Sequence, residues 1–284
     1  IEYDYSNRMI SGNTREDGTK CGFGGCYYNR PSDRSDDFNE ISARLGVSTT
    51  YENLNYFAQL SLGFRPPQIN EAYRLQKKQN VTDLDSETLT MLEFGTRYEW
   101  ESLRGSLSFY QSKKKNSIFR DAENFIVDNG KTDHKGIELS LDLLMNSRNT
   151  LSTNITYGNH QYDFQTDTSM REKIRAGNKI DTAPKIMANL IWDLLVGENA
   201  SLSFEVEHMS SYYTDAANLH EYEGHTLYHA RFNRRISDSV KYYLRIDNIT
   251  DKKYAERADF NAFGGDRYFP GLPRELYIGL EYTF

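Results

Sequence analysis

The sequence has no run of about 20 apolar residues, the length a membrane-spanning helix needs. Even the apolar stretch "ANLIWDLLVG" is interrupted by Asp193. Basic residues are in deficit: the net charge is −7, both signs are interspersed, and no basic stripe supports a nucleic-acid partner. The nearest approach is "KKK" at Lys113 to Lys115, which reads as a solvated strand end. Cysteine is almost missing. Cys21 and Cys26 are the only two, and no histidine lies nearby to complete a tetrahedral thiolate site. The histidines (His134, His160, His208, His220, His225 and His229) show no tight ligand spacing, so no metal site and no cofactor is expected. A Ser–His pair is also lacking. Ser152 and His160 share a predicted strand but lie about 27 Å apart at strand rise, so no catalytic residue is assigned and the chain is not expected to be an enzyme. The first residue is Ile1, with no secretory leader before it, as expected of a processed or truncated chain.

Aromatic residues are what the chain does have. They make up 13% of it, with 21 Tyr and 15 Phe, which conflicts with disorder. Hydrophobic residues are only 38% and the mean hydropathy is −0.74, values that suit a soluble protein. A transmembrane β-barrel has the same average, because it shows lipid only alternate residues. The alternation is present. In "EISARLGVSTTY", Ile41, Ala43, Leu45, Val47 and Tyr51 oppose Ser42, Arg44, Gly46, Ser48 and Thr50. In "YFAQLSLGF", Tyr56, Ala58, Leu60, Leu62 and Phe64 oppose Gln59, Ser61 and Gly63. The pattern recurs near 87–100, 104–112, 134–144, 150–159, 185–195, 200–209, 225–236, 239–249 and 273–284, and "IEYDY" reads as the end of one more strand. The fold class is therefore all-β, with about twelve antiparallel strands.

The connections carry a second signal. Short turns at "ENLN", "ESLR", "MNSRN", "VGEN" and "SDS" alternate with long segments near 6–38, 66–86, 113–131, 161–182, 210–223 and 251–272. Outer-membrane barrels have short periplasmic turns and long extracellular loops. Tyr51, Tyr56, Tyr98 and Trp100 flank the short turns, where an interfacial aromatic girdle belongs. The rival is a soluble sandwich, but strands of ten or more residues exceed its usual five or six. An open sheet edge cannot persist in hydrocarbon. Either twelve strands close on themselves or the chain is part of a larger barrel, and the half-strand "IEYDY" favours the second.

Several stretches resemble the TonB-dependent outer-membrane receptor family. "LRIDNITDKKYAE" followed by "RYFPGLPRELYIGLEYTF" is similar to its closing pattern, a strand end N-[IL]-[TF]-[DN]-K-x-Y, a loop, then P-G-x-P-R and the last strand. "LGFRPPQINEAYRLQ" with "LDSETLTMLEFGTRYEW", "NGKTDHKGIELSLD" and "SSYYTDAANL" resemble other family stretches, in family order. The resemblance implies the C-terminal portion of a 22-stranded transmembrane antiparallel β-barrel over 1–284, without the N-terminal plug, the TonB-contacting segment and the first barrel half. Inward charges such as Arg44, Glu93, Arg97, Glu138 and Arg245 are then expected to point at that plug. Tyr277, Gly279, Tyr282 and Phe284 fit the family's assembly signal, polar-x-Gly-x-x-aromatic-x-aromatic.

The implied function is energy-dependent, TonB-coupled uptake of a scarce nutrient in the outer membrane of a Gram-negative bacterium, most often of a ferric siderophore. The implied partners are outer-membrane lipid and lipopolysaccharide, the plug, the TonB complex, the barrel-assembly machinery and a ferric chelate or other nutrient ligand. The alternative is an autonomous outer-membrane barrel enzyme or adhesin of about twelve strands. Haem receptors carry a histidine between FRAP and NPxL elements; here "FRPP" is close to the first, NPxL is missing and residues 64–100 contain no histidine. Outer-loop position nominates Tyr73, Arg74, Tyr212 and Tyr213 as ligand contacts. In "CGFGGCYYNRP", three of the four residues between the cysteines are glycine, and passage through an oxidising periplasm predicts a Cys21–Cys26 disulfide. That bridge would present Phe23, Tyr27 and Tyr28 above the pore.

Overall fold

The computed structural model describes residues 1–5, 28–29, 33–73, 75–76, 83–121, 125–166 and 173–283. Eleven strands form one antiparallel sheet in sequence order. They are β1 (Ala43–Tyr51), β2 (Leu54–Arg65), β3 (Glu87–Glu99), β4 (Leu103–Arg120), β5 (Ile126–Asn146) and β6 (Asn149–Tyr162), followed by β7 (Ile186–Val196), β8 (Ala200–Met209), β9 (His225–Ser237), β10 (Val240–Asp247) and β11 (Glu275–Tyr282). Among the described residues nothing bridges β1 to β11, so both edges are open.

The register carries the sequence alternation across the sheet. Val47, Ala58, Phe94, Phe109, Ile137, Tyr157 and Ile186 are successive cross-strand partners and form one continuous apolar row. Displaced by one residue, the other face runs through Gly46, Gln59, Glu93 and Tyr110. A one-residue slip would exchange these faces, so the pattern fixes the register. The apolar face is bare: Leu45 is 74% exposed, Val47 70% and Ile278 75%. On the polar face Arg44 donates to Gln59, whose amide donates to Glu93 at 2.5 Å, a ladder across three strands. Glycines here are covered by cross-strand rings. The Phe57 ring lies over Gly95, Tyr110 over Gly136 and Tyr243 over Gly279. Beside the short turns Tyr98 stacks on Trp100 at 5.5 Å.

Two expectations are corrected. "IEYDY" is a strand, but Glu2–Tyr5 pairs with Arg34–Asp37 in a separate two-stranded sheet, leaving eleven strands in the main one. The long connections are also not plain loops. β4 runs on to Arg120 and β5 begins at Ile126, so the segment 113–131 is mostly hairpin and "KKK" lies inside a strand. The segment 251–272 folds as Ala255–Asn261 against Gly265–Pro270, and 66–86 holds a short helix at Ile69–Tyr73. The reason is common to both hairpins. Beyond the apolar band nothing demands an apolar row, so the period-two signal fades while the backbone ladder continues.

Candidate ligand site at the long-loop end

Three of the long connections are tied together by side chains that spend their polar groups on backbone. Tyr212–Tyr213 pairs with Glu221–Tyr222. The Ala258 amide donates to the Tyr212 hydroxyl at 2.8 Å, and the Ala255 amide donates to that of Tyr222 at 3.0 Å. These bonds pin the 255–270 hairpin onto 212–222, and Ala255 and Ala258 are buried between them. The third connection joins through Asn218, whose side chain accepts the Lys179 amide at 2.7 Å and donates to the Lys179 carbonyl at 2.8 Å.

The base of the hairpin is clamped. Asn248 is buried with φ 49, a left-handed conformation that asparagine tolerates better than most residues. Its side chain accepts the Lys252 amide at 2.8 Å and donates to the carbonyls of Lys252 and Leu272. Asp251 accepts the Arg274 amide at 2.9 Å. The N-I-T-D and P-G-L-P-R stretches therefore meet in space, and together they close the loop that separates β10 from β11.

Between these connections and the end of β4 lies a polar cleft of about 310 Å³. Asp121, Asp181, Thr214, Arg257, Asp259 and Arg267 are among its walls. Asp259 accepts hydrogen bonds from Arg257 and Arg267, at 2.5 Å in each case. Burial works against its charge, but the two guanidinium bonds outweigh that cost and hold the carboxyl below its ordinary range. Asp181 goes the other way. Burial raises its pKa despite a 2.6 Å hydrogen bond from the Tyr162 hydroxyl, and the neighbouring carboxylates of Asp215 and Asp259 add to the rise. The Thr214 hydroxyl is buried with no hydrogen-bond partner among the described residues. Each guanidinium has five donors, and the side chains of Arg257 and Arg267 remain 63% and 49% exposed; Arg120 and Asp215 also line the cleft.

The nominated residues fare unequally. Tyr73 is buried and donates to Asp36 at 2.6 Å, and Tyr212 is buried with its hydroxyl engaged as above; both build the loop scaffold. Tyr213 is half-buried, and its carbonyl accepts the Thr182 amide at the edge of the cleft. Tyr28 pairs with Gln76 through its backbone. Cys21, Phe23, Cys26, Tyr27, Arg74 and Phe284 lie outside the described residues. Tyr277 lies on the polar face opposite Arg245, and Gly279 lies under the Tyr243 ring. Tyr282 is exposed on the apolar face, at the short-turn end.

Sequence reasoning missed Arg257, Asp259 and Arg267, because a hairpin placed them where a loop was expected. It also missed a histidine pair. His134 and His160 are register partners with Nδ1 atoms 2.9 Å apart. The signal was available only in outline: His134 lies twelve residues before Asn146 and His160 eleven after Asn149, and the register shift at Asn149/Thr150 brings them opposite each other.

The family whose model is described as "TonB dependent receptor-like, beta-barrel" matches residues 3–249. The chain belongs to this family. No curated protein matches the sequence. Solved structures of TonB-dependent receptors share the fold. One is the ferric-catecholate import receptor Fiu from K12 E. coli in its closed form, at TM-score 0.74 and 17% identity over 100% of this chain and 40% of that one. The siderophore receptor PiuA from Acinetobacter baumannii aligns at TM-score 0.73 and 16% identity, over 89% of this chain and 37% of that one. The ferric citrate transporter FecA, unliganded, aligns at TM-score 0.73 and 20% identity, over 89% of this chain and 39% of that one. The chain thus spans two fifths or less of each receptor's length, and the open sheet is part of a TonB-dependent receptor barrel. Proteins of this family are outer-membrane transport receptors of Gram-negative bacteria. In a barrel of this family the bare apolar face is the outer one, and the face bearing Arg44, Glu93 and Arg245 is the lumen wall.

Proposed function

We propose that this chain is the C-terminal portion, over 1–284, of an outer-membrane receptor for energy-dependent, TonB-coupled uptake of a ferric siderophore. The observation that carries the proposal is the family match over residues 3–249. The cleft at the long-loop end supplies a place for the ligand, and Arg257 and Arg267 supply donors suited to an anionic iron chelate. On this reading the long connections are extracellular, the short turns are periplasmic, and the lumen charges meet the receptor's own plug. Assembly proceeds through the barrel-insertion machinery, which would read the last strand by strand addition. A Cys21–Cys26 disulfide would stiffen an outer loop that presents Phe23, Tyr27 and Tyr28 to the ligand. The open edges at β1 and β11 count against an autonomous enzyme or adhesin of about twelve strands, which would have to join them.

The test is iron uptake by a receptor-deleted strain carrying the full-length receptor. Replacing Arg257 and Arg267 together by alanine is expected to lower ferric-chelate uptake by about tenfold or more, as expected for lost charge-assisted hydrogen bonds, with receptor abundance unchanged. If the wild-type receptor restores growth on no ferric chelate, the siderophore reading falls. Unchanged uptake in the double variant would remove the cleft from it.

A further inference from the structure

We infer that the lumen face of β5 and β6 carries a metal site, in which the Nδ1 atoms of His134 and His160 hold one divalent copper or nickel ion and solvent fills its remaining positions. The two histidines stand 26 residues apart in the chain, so their spacing shows nothing; the register makes the pair. Ser112, His134 and His160 are successive cross-strand partners on β4, β5 and β6, on the face that bears Tyr110. Their Nδ1 atoms lie 2.9 Å apart. One proton has to sit between them, because two bare lone pairs at that distance repel. A metal cation can take that proton's place.

His134 is oriented for this from behind. Its Nε2 lies 2.8 Å from the hydroxyl of Thr132, which is itself buried. When Nε2–H donates to Thr132, the one proton of the neutral ring is used and the Nδ1 lone pair is bare. A metal-bound imidazole ordinarily has such a partner on its other nitrogen. His160 is placed by a missing side chain: a Cβ on Gly158 would lie 2.3 Å from its Nε2. Gly136 is the register partner of Gly158, so neither strand has a side chain directly below the pair. Lys114, opposite Thr132 on the same face, is held by the buried Glu87 at 2.8 Å and so opposes a bound cation less than a bare ammonium would.

The distance selects the metal. Two metal–imidazole bonds of about 2.0–2.1 Å set at a right angle put their nitrogens about 2.9 Å apart, against about 3.3 Å in a tetrahedron. Right-angled nitrogen ligands belong to the tetragonal geometry of Cu(II) and Ni(II), and copper binds the tighter of the two. The ring centres are 5.1 Å apart, so the nitrogens meet nearly head-on and each ring must tilt to aim at one ion. Among the described residues no third histidine, cysteine or carboxylate joins the pair. Two protein donors leave open positions on the ion, unlike a closed structural site. Neither histidine lines the cleft between the long connections, so the site is separate from it.

Full-length receptor in detergent, stripped of metal with a chelator, is titrated with Cu(II) and read by electron paramagnetic resonance. Wild type is expected to give an axial signal split by two nitrogens, which the double variant His134→Gln, His160→Gln loses. Thr132→Val should weaken binding about tenfold, as the loss of an outer partner does. His208→Gln should bind like wild type: His208 also pairs with a threonine, Thr226 at 2.9 Å, but stands on the outer face. Retention of the two-nitrogen signal in the double variant, or fewer than two nitrogens in wild type, overturns the inference. In case the double variant fails to assemble, copper-loaded wild type is treated with ascorbate in air, which oxidises histidines bound to the ion, and mass spectrometry maps the sites. Oxidation at His134 and His160 supports the site, and oxidation confined to other residues sinks it. None of these measurements reads ferric-chelate uptake, so the metal site stands or falls apart from the transport proposal.

Discussion

The two ends of the sheet are built for different solvents. At the long-loop end the described chain has ordinary small cores: Tyr212, Tyr222, Ala255 and Ala258 in one, Ile118 and Ile126 in another, Tyr162, Ile174 and Ala216 in a third. Below them the spanning wall has no such cluster and leaves Val47, Leu60, Phe94 and Leu280 bare. Water drives apolar groups together only where water is the alternative. On the outer-membrane reading proposed above, lipid is the alternative at the wall, which is held by its backbone ladder instead, and its side chains need only match the bilayer on one face and the lumen on the other.

The sharpest way to break this contrast is to damage one end and watch the other. Glu87 is buried and holds Arg65 at 2.5 Å, Lys114 at 2.8 Å and the Ile118 amide at 2.8 Å. Glu87→Ala leaves Lys114 without this counter-charge and Arg65 with Glu71 alone, which costs about 3 kcal/mol at a buried pair. Hydrogen exchange in the full-length receptor should then speed at Ile118 and remain slow at Phe94, in mid-wall. Equal acceleration at both would make the two ends one cooperative unit.

Within the wall, glycines sharpen the picture in decreasing order. A Cβ on Gly105 would lie 2.0 Å from the Ser140 carbonyl oxygen, so backbone must move. One on Gly279 would lie 2.1 Å from Cε1 of Tyr243, a ring that can swing aside. One on Gly63 would meet nothing within 4 Å. Alanine at these positions is expected to cost about 3, about 1 and close to 0 kcal/mol, by analogy with overpacking. Denaturant midpoints of the assembled receptor measure this. Gly279→Ala lowering the assembled amount more than Gly105→Ala does would favour recognition of the last strand over simple packing.

The smallest effect concerns pH at the loop end. Asp259 has a depressed folded pKa, so its contribution is present above the unfolded value of 3.8 and is lost as pH falls through the lower folded value. Asp181 has a raised one. Its contribution is complete below 3.8 and is lost as pH rises through the folded value. Asp181→Asn should therefore slow exchange at the Thr182 amide relative to wild type at neutral pH, and should match wild type below the unfolded value. A variant less protected than wild type at neutral pH would show that the Asp181 charge is needed there.

Much of the wall was legible because period two is a local property. Ala43 to Tyr51 and Tyr56 to Phe64 could be sorted onto faces without knowing their neighbours, and the turn at Glu52 and Asn53 then set their register. The chain past the apolar band was not legible: "KKK" looked like a strand end because nothing in its composition says that the ladder continues to Arg120. Tyr212 looked like a ligand contact because an aromatic in a long connection gives no sign that its hydroxyl will be taken by Ala258, 46 residues on.

By itself, then, the sequence determined the strand faces and the family, since each rests on neighbours close along the chain. Only the tertiary structure decided which residues meet at the long-loop end. Arg257 and Arg267 converge on Asp259 through a hairpin, and His134 meets His160 across two arms. Such contacts follow from backbone pairing over long separations, and pairing of that kind leaves no period in the sequence.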